Sequence, residues 1–138
     1  MTKKILIGFV AVFVLSEIVS IVVNGFILNA TYEATKAIWR PDMDRLMWVY
    51  HVMNAIGAFF FALVFSKGYE GRGVAEGVRF GLYIGIWMGV GMAYGTYAMI
   101  AIPYSMAITW FVSTIIQYVL CGIAVALIFG KQAIVTKV

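Results

Sequence analysis

Four apolar runs dominate this chain, beginning near Ile5, Trp48, Val74 and Ser105, and each is long enough to cross a bilayer. A hydrocarbon core of ~30 Å takes about 20 helical residues to span. Water is absent there, so backbone N–H and C=O groups must satisfy one another, which makes such runs helices. Composition agrees. Soluble domains average roughly 45–50% apolar and about 25% charged residues. This chain is 64% hydrophobic and 12% charged, with a mean hydropathy of +0.99. The expected fold is all-α, a four-transmembrane-helix bundle in a single integral membrane domain over residues 1–138, with helices at about 5–28, 41–65, 74–102 and 105–129. No segment is left for a soluble domain.

Lys3 and Lys4 ahead of an apolar run imitate a signal peptide. The run is longer than the roughly 7–15 residues of a signal core and no small-x-small cleavage site follows it, so a retained helix is expected. The single Cys121 excludes an intramolecular disulfide. The net charge of +4 could suit nucleic acid, but the basic residues flank the apolar runs, so no nucleic-acid partner is expected. Lys3, Lys4, Lys67, Arg72, Arg79, Lys131 and Lys137 fall on one side of the bundle, against Lys36, Arg40 and Arg45 on the other. The positive-inside rule then puts both the N and C termini in the cytoplasm and the connection at 29–45 outside. Within that outer loop Glu33, Lys36 and Trp39 suggest a short interfacial helix. Pro41, followed by Asp42 and Asp44, reads as the first turn of the second long helix.

Gly77, Gly81, Gly85 and Gly89 recur every four residues, with Gly91 and Gly95 on a neighbouring line. Positions four apart lie above one another on a helix, so these glycines form a groove without side chains. In lipid such a groove is a helix-packing surface. The first helix, with Ser16, Ser20 and Gly25, is the expected partner inside a monomer, and a second copy is the alternative.

Glu17 lies twelve residues beyond Ile5, about 18 Å along a helix and near the midplane. A carboxylate there costs several kcal/mol unless paired, hydrated or protonated. Ser16, Ser20 and Asn24 extend its face, while Ser113, Gln117 and Cys121 make a polar line on the fourth helix. Equal depth pairs a protonated Glu17 with Gln117. That pair is either a packing pin or part of a proton or cation relay. His51, the only histidine, is expected one turn inside the outer boundary, at the depth of Asn24, with Asn54 and Met47 beside it and Met43 a turn beyond. A Met–Met–His line suits Cu(I), yet methionines in membrane helices mostly pack. One histidine also falls short of paired haem ligation. Neither metal nor cofactor is expected. Trp39, Trp48, Tyr50, Tyr104 and Trp110 read as an outer aromatic belt, Tyr94 and Tyr97 as cross-helix hydrogen-bonding groups, and Glu76 with Arg79 as an ion pair. No nucleophile–base pair, HExxH, paired carboxylates or Cys/His cluster occurs, so no enzyme activity is expected.

The tripeptide Trp39-Arg40-Pro41 ahead of an early His51 resembles a group of small bacterial four-helix membrane proteins with no assigned activity. So does Lys67-Gly68-Tyr69-Glu70-Gly71-Arg72-Gly73 leading into Glu76-Gly77-Val78-Arg79-Phe80-Gly81. The resemblance covers the layout of nearly the whole chain. It implies four helices and a multi-pass protein of the bacterial inner (cytoplasmic) membrane. The function expected is that of an accessory or interaction subunit, with the lipid bilayer and a membrane-protein partner or homo-oligomer as its associates. The alternatives are a small proton- or cation-linked transporter or channel using Glu17 and Gln117, and a metal or haem protein using His51.

Overall fold

The computed structural model describes residues 1–130, so Lys131 and Lys137 of the charge count lie outside the described residues. Six α-helical segments follow one another: α1 (Thr2–Ser20), α2 (Asn29–Ala34), α3 (Met47–Gly68), α4 (Val74–Gly89), α5 (Gly95–Met99) and α6 (Tyr104–Gly130). A π turn over Ile21–Ile27 prolongs α1, and another over Val90–Tyr94 joins α4 to α5. Among the described residues three helices are long and apolar enough to cross a membrane: Thr2–Ile27, Asp44–Gly68 and Tyr104–Gly130. The α4–α5 helix is less apolar because six glycines, Glu76 and Arg79 dilute it.

The second long helix starts at Met47 rather than at Pro41. Residues 41–43 are a turn, and Asp42 is taken by Arg40, whose Nε donates at 2.7 Å. That bond holds the Asp42 carboxyl below the usual carboxylate range. Before the turn come α2 and a 3₁₀ turn over Lys36–Ile38, a short helical segment where the sequence suggested one.

The glycine line packs on α6, not on the first helix. A Cβ at Gly77 would overlap the Gly122 carbonyl oxygen, and one at Gly81 the Tyr118 carbonyl oxygen. At Gly85 it would lie 2.8 Å from the Ile115 Cα. Gly122 on α6 is as bare as the line it faces, so the two backbones touch. The short connection after Met99 also forces α6 back antiparallel beside α4–α5. The first helix lies on the far side of α6, with Ser16 Oγ 3.8 Å from Cys121 Sγ, and α3 packs chiefly on α1.

The interior divides into two cores. Near the termini, the proximal core contains Val12, Cys121, Val125, Ala126 and Phe129, with Ala58, Phe61, Ala62 and Phe65 from α3. Phe61 and Phe65 reach Phe80 of α4, with ring centroids 4.9 Å and 5.3 Å apart. The distal core contains Val23, Leu28, Ala93, Ile102, Met106, Ala107 and Trp110, and nothing from α3. At the proximal end the turn before α4 needs left-handed backbone at Gly71 and Gly73 (φ 82° and 72°). Glu76 closes it by accepting the Glu70 and Arg72 backbone N–H groups at 2.7 Å and 2.9 Å. Glu76 is thus taken up by the turn rather than by the expected partner Arg79.

Replacing Gly85 with Leu should lower the melting temperature in detergent, at a cost of about 1–3 kcal/mol or more from overpacking. Gly91→Ala, where a Cβ meets nothing within 4 Å, should leave it unchanged or raise it. Equal effects of the two substitutions would contradict this packing.

Candidate functional site

Helical phase decides what Glu17 meets. Val12 and Ser16, four apart, are buried against α6. One residue on is 100° around the helix, which turns Glu17 away from α6 and toward α3. There His51 Nδ1 lies 3.1 Å from both carboxylate oxygens, and Asn54 Nδ2 donates to Oε1 at 2.6 Å. The expected partner Gln117 does sit near this level, since Lys4 meets Phe129 and Asn24 meets Trp110. It makes no hydrogen bond to Glu17. Depth was right and direction wrong.

His51 is also deeper than the sequence suggested. It lies level with Glu17, seven residues or about two turns short of Asn24. The cause is the late start of α3: helices α1 and α6 extend past its first turn, and residues 28–39 fold back over their ends. Asn24 belongs to that distal cap. Its Oδ1 accepts from Trp110 Nε1 at 3.0 Å and from the Tyr32 hydroxyl at 3.1 Å, and its amide donates to Ser20. Burial pushes the Tyr32 hydroxyl up to about 12, so it remains a donor. Tyr32 and Trp39 pack against Trp110, which is only 8% exposed. These two tryptophans are a packed cap and not a lipid belt, whereas Trp48 and Tyr104 face outward. Tyr94 meets the Tyr104 hydroxyl at 3.4 Å, and Tyr97 meets the Tyr104 ring edge to face.

The polar stripe expected on the first helix is thus split. Ser20 and Asn24 serve the cap, and Ser113 donates to Trp110 O on its own helix. Ser113 lines an apolar groove of about 510 Å³ between α1 and α6, alongside Val19, Val23 and Ile116. Glu17, His51 and Asn54 stand apart as one carboxylate–imidazole–amide cluster. Met47 lies a turn from His51, and Met43 precedes the helix. No group of three or more His, Cys, Asp or Glu able to hold a metal occurs among the described residues.

The cluster is open on its His51 side. Asn54, Ala58, Phe61 and Phe65 share one face of α3, with His51 and Ala62 on its flank. The lower part of that face is the proximal core. Beyond it the face loses its cover: the His51 side chain is 53% exposed against 18% for Glu17, and a Cβ on Gly57 would meet nothing within 4 Å. On the proximal side the rings of Phe61 and Tyr118 pack with centroids 5.4 Å apart. No family model, curated protein or solved structure matches this chain. The cluster must be read from its own chemistry.

A His51–Glu17 contact was not visible in sequence because the two are 34 positions apart. The available signal was the pair of small residues Gly8 and Ala62, whose close approach (3.3 Å from a Cβ on Gly8 to Ala62 Cβ) sets the register of α1 on α3. In a Cys121→Ala background, a Glu17→Cys/His51→Cys protein should form an oxidative cross-link. Glu17→Cys/Gln117→Cys should remain monomeric thiols on a gel shift. The reverse pattern would restore the sequence pairing.

Proposed function

We propose that the chain is a four-span protein of the bacterial inner membrane, with both termini cytoplasmic, and that it is a non-enzymatic accessory subunit holding one exchangeable proton in the Glu17–His51–Asn54 cluster. The observation behind this is the contact of His51 Nδ1 with both Glu17 oxygens at 3.1 Å. Intramembrane ionisable residues face bundle interiors or cavities, pair with one another and mark working sites. A carboxylate beside an imidazole fixes the ring's tautomer and orientation. Asn54 holds the carboxylate in place from the same helix as His51. The imidazole is half-exposed, and the distal cap lies beyond it. Lys3, Lys4, Lys67, Arg72 and Arg79 gather at the proximal end, with Lys36, Arg40 and Arg45 at the distal one, which supports the orientation.

Infrared difference spectra recorded across a pH titration of the reconstituted protein should show paired carboxylate and imidazole bands. Both bands should change in Glu17→Gln and in His51→Phe, while the fold by circular dichroism is kept. Spectra indifferent to both substitutions would remove the proposed role. Reporter fusions at residue 130 and within residues 29–40 should report opposite compartments. A shared compartment would remove the topology.

A further inference from the structure

We infer that the face between α1 and α6 seats a second copy of this chain, paired through Gln117 about a two-fold axis along the membrane normal. This pairing does not depend on the Glu17–His51–Asn54 cluster. Three features point to it.

The first is an amide without a partner. Gln117 is the central residue of α6 (Tyr104–Gly130). Glu17, Asn24, His51 and Asn54 all have hydrogen-bond partners. The Gln117 carboxamide, on a partly exposed residue, has none among the described residues. No side-chain N or O atom there is both enclosed and unpartnered, so this amide reaches the outside of the bundle. In the middle of an apolar span no water is present to meet it, and an amide left without a hydrogen bond costs free energy. Hydrogen bonds from such side chains hold membrane helices together.

The second is the setting. Gln117 continues the line of Thr109 and Ser113, which line the apolar groove of about 510 Å³ between α1 and α6. The Thr109 and Ser113 hydroxyls donate to the Ser105 and Trp110 carbonyls of their own helix at 2.8 Å and 3.1 Å. The groove therefore offers a partner little but methyl and methylene groups. Its outer edge, Val112 and Ile116, continues with Leu120 as an exposed ridge along α6. A ridge beside a groove is self-complementary: in an isologous pair each ridge enters the groove of the other copy. The β-branched side chains that dominate both lose little rotamer freedom on contact.

The third feature is the match of Gln117 to itself. Copies of one chain insert with the same orientation. A closed pair then has its axis along the membrane normal, and each residue meets the depth of its own equivalent. A carboxamide both donates and accepts, so two copies of Gln117 satisfy one another without any further polar group. A partner of different sequence would have to bring a polar group of its own to that depth.

The test uses the full chain in liposomes, carrying Ser113→Cys in a Cys121→Ala background, with copper phenanthroline as oxidant. Ser113 lines the groove one turn from Gln117, so a disulfide-linked dimer is expected, in a yield that saturates as the protein-to-lipid ratio rises. Met53→Cys, exposed on α3, should give only the collisional yield at each ratio. Adding Gln117→Leu should raise the ratio needed for half-maximal cross-linking at least tenfold. Gln117→Asn, which keeps a carboxamide, should restore part of that loss. Circular dichroism checks each fold, and Gln117→Met replaces Gln117→Leu if the latter misfolds. A Ser113→Cys yield no greater than that of Met53→Cys overturns the inference. A dimer indifferent to Gln117→Leu and Gln117→Met overturns pairing through the amide. Cross-linking of Ser113→Cys in native membranes to a chain of another mass, in place of the dimer, gives the face to a different partner and overturns the second copy.

Discussion

Everything in this bundle hangs on backbone touching backbone along Gly77, Gly81 and Gly85. A helix with side chains at these positions would stand off from α6 by the width of those side chains. In lipid there is no hydrophobic gain from hiding one apolar helix against another, so association depends on close packing and hydrogen bonds. The glycine line supplies packing along most of α4, and Gly122 supplies it from the other side. With α4–α5 fixed on α6, the opposite side of α6 is left for α1, where Ser16 and Val12 meet Cys121. Helix α3 in turn packs on α1.

That arrangement explains why the polar groups sort as they do. Position 16 is spent on α6 and position 24 on the cap with Trp110 and Tyr32. Glu17, between them in sequence but turned 100° away, has only α3 to meet. Its partners His51 and Asn54 are three apart, so both reach the same carboxylate from one helical face. Lying between the two apolar cores, the cluster has Phe61 and Phe65 on one side and the aromatic cap on the other.

The long helices, the short helical segment after the first of them and the glycine surface were legible because each rests on a local period or a run length. Partnerships were not. The line at Gly77, Gly81 and Gly85 states that something comes close; it does not say which helix. The depth match of Glu17 with Gln117 used position along the axis and left out rotation about it, and it is the rotation that sends Glu17 to His51. The start of α3 was misread because Pro41 and two acids make a plausible first turn, while Arg40 claims Asp42 for a turn instead. The π turns at Ile21–Ile27 and Val90–Tyr94 have no sequence signature of that kind. Each shifts the helical phase, so side chains beyond it cannot be placed by counting in steps of 3.6.

The absence of α3 from the distal core gives the molecule an uneven cohesion. Helices α1, α4–α5 and α6, with the segment that caps them, form a unit tied at both ends. Helix α3 is anchored below by Ala58, Phe61, Ala62 and Phe65, and above by one carboxylate. Its upper half extends beyond the phenylalanine cluster at Phe80. Among the described residues the Glu17 contact is the one polar tie between the upper half of α3 and the rest of the bundle.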